Sequence, residues 1–195
     1  HGFVGALLQV GQQRAHAQAA DLFIVGKRQM HRQAQRLGEN VASRVPADEP
    51  VIVAGDWTHE PTQDLRAGFA PLARLRHPVW GVLGNHDVQA PGPKLTAPLR
   101  EALTQHGVRL IEGQAVPLKG WELVGLYDQW GGRPQPQIER LWPGGLSNDS
   151  TRRLVVVHQP DTVALLPKGA AFLSMAGHTH GGQIWIPGFS PWFLR

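Results

Sequence analysis

The chain has 195 residues, 42% of them hydrophobic and 17% charged, which is the size and composition of one globular domain with a buried core. Nineteen Lys and Arg against 15 Asp and Glu give a formal charge of +4, but the basic residues form no block, so the sequence predicts no nucleic-acid-binding stripe. There is no cysteine, which excludes disulfides, zinc–thiolate sites and thiol nucleophiles, and no apolar run approaches the length of a membrane span.

The amino-terminal residues are interpreted apart from the rest. The chain begins at His1, and "AHAQAAD" has the small residues of a signal-peptidase site, although the stretch before it is too polar for a good hydrophobic region. We assign residues 1–19 to a leader or the end of a fragment, and residues 20–195 to one folded domain that is itself truncated. The predicted location is cytoplasmic or membrane-peripheral, and periplasmic if a leader is cleaved.

In the first half of the chain, short apolar runs alternate with helical patterns. "DLFIVG" (21–26) and "PVIVAGD" (50–56) read as buried strands, and the stretch 30–45 between them reads as a helix. This order predicts a β-α-β unit with parallel strands and a right-handed crossover. Apolar residues at 65, 69, 72 and 75 then have helical spacing, with Pro71 as a kink or break, and "HPVWGVLGNHD" (77–87) reads as a third strand that ends in a loop.

The second half adds strands of a different kind. Thr96 is predicted to cap a helix that has Pro98 in its first turn and Gly107 after its end. Three Gly-separated strands follow between 108 and 128, then a short helix at 135–142 and two buried strands within "TRRLVVVHQP" and "AFLSMAGHTH". The fold class is therefore α/β, a single layered domain with two mixed β-sheets flanked by helices.

Polar residues that can bind metals follow four of these strands directly. They are Asp56, then Asn85, His86 and Asp87, then His158, and finally His178 and His180. Any one of them alone reads as the polar cap of a loop. Four strands that all stop at such a residue are harder to explain that way, because the carboxyl ends of strands in α/β sheets are where functional groups gather. The glycines around the last pair let its histidines point at neighbouring atoms.

These motifs carry a family resemblance. The series "GD", "GNHD", "H" and "GHTH", in this order and each after a strand, resembles the calcineurin-like metallophosphoesterase superfamily, and the continuation "GHTHGGQ" is similar to its bacterial branch. The resemblance runs from about the second strand to Ile186. It implies a metallophosphoesterase-like layered fold and metal-dependent hydrolysis of a phosphomonoester or phosphodiester by a metal-activated water. The implied partner is a small phosphorylated substrate, and the resemblance leaves the oligomeric state open.

The resemblance also implies a role for each residue. Asp56 would bridge two divalent ions, and His180 would serve the second of them. The first ion would be completed by Asn85, His158 and His178. His86 would be the catalytic acid at the leaving oxygen, with Asp87 fixing its tautomer. Nitrogen and oxygen donors together suit Mn, Fe, Zn or Co better than Mg or Ca.

One part of the family pattern is missing. The family opens with D-x-H after its first strand, and this chain has no D-x-H. The position of this motif corresponds either to Lys27–Gln29 or to His1, which would then be the last residue of a motif that begins upstream. The order of the strands favours Lys27–Gln29. The acidic residue expected three positions after Asp56 falls on His59, with Glu60 beside it. We therefore expect one well-formed metal site where the family has two.

Two alternatives to an active enzyme remain. A catalytically weakened member would bind a metal or a phosphorylated ligand without turnover, because the first motif is missing. A nucleic-acid-binding α/β module is disfavoured by the scattered basic residues. Within "LYDQWGGRP", which resembles the loop on the substrate side of the bacterial branch, Asp128 and Trp130 are candidates for substrate contact or for a structural turn.

Overall fold

The computed structural model describes the backbone of residues 7–9, and residues 46–58, 64–88, 95–130, 134–142 and 152–178. Two four-stranded sheets are built from these residues, one in the order β1-β2-β3-β4 and one in the order β5-β6-β7-β8. The strands are β1 (Leu7–Gln9), β2 (Val51–Ala54), β3 (Val79–Val82), β4 (Val108–Leu110), β5 (Gln114–Leu118), β6 (Trp121–Gly125), β7 (Arg153–Val157) and β8 (Leu173–Ala176). The α-helices are α1 (Leu65–Phe69), α2 (Asn85–Val88), α3 (Thr96–Gln105) and α4 (Pro134–Leu141), with 3-10 turns at Ala70–Arg74 and Pro160–Leu165.

The first sheet is parallel except at its edge. Strand β2 pairs in parallel with β3, which pairs in parallel with β4, and β1 runs antiparallel to β2. The sequence predicted that the strand at 21–26 precedes β2 in a β-α-β unit. Residues 21–26 and the predicted helix at 30–45 lie outside the described residues, and the division between 1–19 and 20–195 stays a prediction.

The second sheet starts with a hairpin. Strands β5 and β6 are antiparallel and joined by Lys119 and Gly120, whose positive φ angles of 48° and 82° are those of a two-residue type I′ turn, which matches the right-handed twist of the strands. Strands β6, β7 and β8 are then parallel. All five residues of β7 are buried, as expected for a parallel strand covered on both faces.

The core has three clusters because successive side chains of a strand face opposite ways. In the first sheet Val51 and Val53 pack with residues of α1 and α3, while Ile52 and Ala54 pack against the second sheet. Residues Val155 and Val157 of β7 pack on the outer side, with α4. The molecule is thus layered helix, sheet, sheet, helix, which confirms the predicted fold class.

The helix ends differ from the predicted ones in one respect. Thr96 was expected to cap α3, but it is the first helical residue, and Leu95 takes the cap position without a side-chain hydrogen bond. The predicted end of this helix is confirmed, because Gly107, with φ 84°, comes just after α3 and its cap residue. Pro71 lies inside the 3-10 turn that follows α1, so the α-helix ends before this proline, as the sequence predicted. Among the described residues, no helix has the length and apolar character needed to cross a membrane.

Candidate metal centre

The loop after β2 places the first site residue by an unusual backbone. Gly55 and Asp56 both have positive φ, at 86° and 55°, so the chain bends sharply where β2 ends. Gly55 has no room for a side chain: a Cβ there would lie 2.6 Å from Nδ1 of His158 and 2.8 Å from the backbone nitrogen of Gly84. The Asp56 side chain is 1% exposed, and its carboxylate faces His158, which follows a strand of the second sheet.

The loop after β3 lies against the first loop. A Cβ on Gly84 would lie 2.3 Å from Oδ1 of Asp56, so the two loops touch through this glycine. Oδ1 of Asp56 accepts a hydrogen bond of 3.2 Å from the backbone N–H of His86. Asn85 begins α2 and is buried, with its amide oxygen facing the second sheet. The glycine thus allows the approach that brings Asn85 beside Asp56.

His158 and His178 reach the same point from the second sheet. His158 follows β7 and donates from Nδ1 to the carbonyl of Ala54 at 2.8 Å, which leaves the lone pair of Nε2 facing the site. Nε2 lies 2.9 Å from Oδ1 of Asn85. His178 follows β8 with φ 67°, and its Nδ1 lies 3.0 Å from the same Asn85 oxygen and 3.2 Å from Nε2 of His158.

These atoms form a donor set suited to a cation. Ligand atoms of Asp56, His158 and His178 all lie within 4.8 Å of one another, and Oδ1 of Asn85 lies between the two rings. Oδ2 of Asp56 is buried, lies 3.3 Å from Nε2 of His158 and accepts no hydrogen bond from the residues that the structure describes. A buried carboxylate oxygen left without a donor is costly. Two imidazole nitrogens, a carboxylate and an amide oxygen would all be satisfied by one divalent ion, so the residues fit a metal.

The electrostatics of the pocket favour positive charge. Burial opposes protonation of His158, but the close contact with the Asp56 carboxylate and its negative charge outweigh it, so the pKa of His158 lies above its ordinary value. The charge of Asp128 acts in the same direction. The field that holds a proton on this ring is the field that would attract a metal ion to it.

Asp87 has a role that the sequence did not reveal. Its buried carboxylate accepts hydrogen bonds from the backbone N–H groups of Trp57 (3.0 Å), Thr58 (2.7 Å) and Gly84 (2.9 Å). Burial and the neighbouring Asp56 charge raise the pKa of Asp87 to about 7, while these three donors oppose the shift. The role predicted from the sequence, fixing the tautomer of His86, stays a prediction; the hydrogen bonds show that Asp87 ties the loop after β2 to α2.

The structure brings together four of the predicted site residues, Asp56, Asn85, His158 and His178. His86 is half-buried beside them, and its role as the acid stays a prediction. His180, Lys27, Gln29, His59, Glu60 and His1 lie outside the described residues. The ring of Trp130 is 59% exposed with its centroid 6.3 Å from that of His178, and its backbone N–H donates to Asp128 at 2.7 Å, so the predicted turn is present at the mouth of the site.

Sequence reasoning missed Glu112 and Arg100. Glu112 is 4% exposed; it accepts a hydrogen bond from the backbone N–H of Leu83, directly before Gly84 and Asn85, and pairs with Arg100. The signal was present as a single acid inside the apolar run "VRLIEG", a place where a charge is stable only with partners.

Comparisons with known proteins agree with this site. A family model for calcineurin-like phosphoesterases matches residues 17–182, so the chain belongs to that family. It is 33% identical over 125 residues to "Phosphodiesterase YaeI" of Escherichia coli, covering 61% of this chain and 42% of that protein. An "Uncharacterized metallophosphoesterase" of Helicobacter pylori is 27% identical over 140 residues, covering 69% of this chain and 36% of that protein. "Uncharacterized metallophosphoesterase YkuE" of Bacillus subtilis is 29% identical over 157 residues, covering 72% of this chain and 50% of that protein. The chain thus spans half or less of the length of these relatives.

Proposed function

We propose that the chain hydrolyses a phosphomonoester or phosphodiester with the help of a divalent metal. The observation that carries the proposal is the convergence of Asp56, Asn85, His158 and His178 around a buried carboxylate oxygen that accepts no hydrogen bond within the described part of the chain. These four residues would hold a divalent metal, which would supply Lewis-acid polarisation of the phosphate and acidification of water. The family and the name of the Escherichia coli relative support phosphoester hydrolysis as the reaction class.

The chain's own groups have separate tasks in this proposal. The hydrogen bond from Nδ1 of His158 to Ala54 fixes the neutral ring in the tautomer whose Nε2 lone pair faces the site, where it would bind the metal. Asn85 contributes its amide oxygen, which can bind a metal without first losing a proton. His86, half-buried at the start of α2, donates a proton to the leaving oxygen. The donor set suits Mn, Fe, Zn or Co.

A test compares carboxylate removal inside and outside the site. Asp56→Asn should abolish retention of Mn²⁺ after desalting and lower hydrolysis of bis(4-nitrophenyl) phosphate and 4-nitrophenyl phosphate by at least about 100-fold, as expected when a metal and its charge are lost. Asp161→Asn, on an exposed 3-10 turn, should leave both unchanged. Full hydrolysis by the Asp56→Asn protein would show that the pocket is not the active site.

The two metal positions are proposed to differ in occupancy. The four residues of the first position are all present, whereas the second would have only Asp56 and His180, since no D-x-H occurs in the chain. If Lys27 takes the place of the missing carboxylate, its ammonium repels a cation. Protein loaded with excess Mn²⁺ or Zn²⁺ should retain one equivalent after desalting, and a Lys27→Asp, Gln29→His double variant should retain more. Two tightly held equivalents in the unchanged chain would contradict this asymmetry.

A second candidate function follows from the same missing motif. A weakened family member would bind a metal or a phosphorylated ligand without turning it over. Retention of Mn²⁺ that depends on Asp56, together with binding of inorganic phosphate and no hydrolysis of either ester, would favour it. Turnover that depends on Asp56 would exclude it.

Substrate contact is proposed for Trp130. Its indole is exposed beside His178 and could cover one face of the group attached to the phosphate. Trp130→Ala should raise KM by about 3-fold to 10-fold, since one aromatic contact is worth about 0.5–1.5 kcal/mol, and leave Mn²⁺ affinity unchanged. Phe172→Ala, which removes an equally exposed ring beside Trp121, is the control. An unchanged KM in the Trp130 variant would show that Trp130 contributes only to the structure of the turn.

A further inference from the structure

Glu112 stands where the chain crosses from the first sheet to the second. On one side of it, the backbone N–H of Ile111 donates to the carbonyl of Gly81 at 3.0 Å. On the other side, the backbone N–H of Gly113 donates to the carbonyl of Gly125 at 2.8 Å. Glu112 itself bridges to Gly125. Its backbone is therefore fixed to both sheets at once, which gives its side chain a rigid base.

The carboxylate of Glu112 is directed at the loop that carries Asn85. Its Oε1 accepts the backbone N–H of Leu83 at 3.1 Å, and Leu83 is 1% exposed. Leu83 lies beyond the part of β3 that pairs with β4, where the register ends at Gly81. Without Glu112, this buried N–H would lose the acceptor that the structure gives it. The next two residues are Gly84 and Asn85.

Arg100 holds the carboxylate in that orientation. Its two terminal guanidinium nitrogens donate to Glu112, Nη2 to Oε1 at 2.8 Å and Nη1 to Oε2 at 3.2 Å. The Glu112 side chain is 1% exposed and the Arg100 side chain 34% exposed, so the charge pair is buried on the acid's side only. A two-pronged contact of this kind fixes the direction of a carboxylate as well as its charge.

We propose that Glu112 is a positioning residue for the metal centre, acting through Leu83 to set the place of Asn85. The proposal rests on the proposed metal site and assigns part of its affinity to a residue that touches neither metal nor substrate. Asn85 needs such a support because Oδ1 of its side chain must meet Nε2 of His158 at 2.9 Å and Nδ1 of His178 at 3.0 Å. A small shift of the loop moves the amide oxygen away from both.

The test uses two side chains of equal length. In Glu112→Gln the amide oxygen still accepts from Leu83, so Mn²⁺ affinity, measured by calorimetric titration of metal-free protein, should stay within about 2-fold of wild type. In Glu112→Met no acceptor remains, and affinity should fall by about 10-fold, the low end of what loss of a hydrogen bond behind a metal ligand costs. Equal Mn²⁺ affinity in the two variants would show that Glu112 serves folding only.

Controls separate positioning from general stability. Glu122→Met breaks another carboxylate–guanidinium pair, with Arg153 in the second sheet, and should lower Tm without changing Mn²⁺ affinity. A loss of affinity in this variant equal to that in Glu112→Met would overturn the proposal. If Glu112→Met does not fold, Glu112→Asp replaces it: its shorter arm should weaken Mn²⁺ binding by at least about 3-fold, and wild-type affinity would overturn the proposal.

The metal site itself is tested in the same titration. Wild-type protein should bind Mn²⁺, and Asn85→Ala should lose most of that binding. If wild type does not bind Mn²⁺, the proposed function fails and this inference with it. If wild type binds, Asn85→Ala does not, and Glu112→Met equals Glu112→Gln, then only the inference about Glu112 fails.

Discussion

Asp56 and His178, two of the converging side chains, stand on left-handed backbone, at φ 55° and 67°. For a residue with a Cβ this conformation costs about 1–2 kcal/mol. Each lies directly after a glycine at a strand end, so the chain turns sharply and the side chain faces the neighbouring sheet. Strain of this kind collects at functional sites because the surrounding packing over-determines it. At the residue scale, two side chains of the candidate centre are therefore oriented by backbone conformations that are themselves unfavourable.

Gly84 is the residue whose enlargement should harm the site most directly. In Gly84→Ala the new Cβ would meet Oδ1 of Asp56 at 2.3 Å and its backbone nitrogen at 2.6 Å, so the Asp56 loop must move. We expect Mn²⁺ affinity to fall by at least about 10-fold in a calorimetric titration, as when a metal ligand loses its support. Gly107→Ala, which meets no atom within 4 Å but has φ 84°, should lower Tm and leave Mn²⁺ affinity intact. Unaltered affinity in Gly84→Ala would contradict the geometry.

His86 should matter most for substrates whose leaving group needs a proton. In His86→Ala, turnover of an alkyl phosphate should fall by about 10²- to 10⁴-fold, the usual contribution of a general acid, and turnover of 4-nitrophenyl phosphate should fall much less. The comparison is made from kcat at saturating Mn²⁺. His106→Ala, at the end of α3 where the ring contacts the carbonyl of Arg66, is the matched control and should change neither rate. Equal losses for both substrates would argue against the acid role.

At the scale of elements, Asp87 joins helix α2 to the loop after β2. Its carboxylate accepts three backbone hydrogen bonds, and an amide in its place offers only one oxygen. Asp87→Asn should therefore leave at least one buried N–H unpaired and lower the free energy of unfolding by about 1–3 kcal/mol. Urea denaturation measures this, with the exposed Asp161→Asn as control. A difference between the two variants below about 0.5 kcal/mol would show that the loop does not depend on Asp87.

For the whole molecule, the candidate centre links the two sheets. Asp56 and Asn85 follow strands of the first sheet, whereas His158 and His178 follow strands of the second. A metal bound to all four should stabilise the folded chain by about 2.7 kcal/mol at 100 times its Kd. For a chain of 195 residues this corresponds to a rise in Tm of about 5–10 °C.

Differential scanning fluorimetry with Mn²⁺ and then with excess EDTA measures this rise and its reversal. Asp56→Asn should show neither, because it removes a charged ligand, whereas Asp161→Asn should behave as wild type. A Tm that rises equally in both variants would mean that Mn²⁺ stabilises the protein elsewhere.

The sequence by itself determined the strands β2, β3, β7 and β8 and the polar residues at their carboxyl ends. Each of these strands is a short, mostly apolar run, a pattern that can be read from the local sequence. The layered α/β class and the family also followed from the order of the motifs, and both are confirmed.

Only the tertiary structure decided what depends on residues far apart in the chain. The antiparallel pairing of β1 with β2 joins residues more than 40 positions apart, and the hydrogen bond from His158 to Ala54 spans 104 positions. The task of Asp87, the support from Glu112 and the left-handed turns at Asp56 and His178 likewise depend on which loops touch. No local pattern encodes such contacts, because hydrogen bonds and close approaches of this range arise when the two sheets pack.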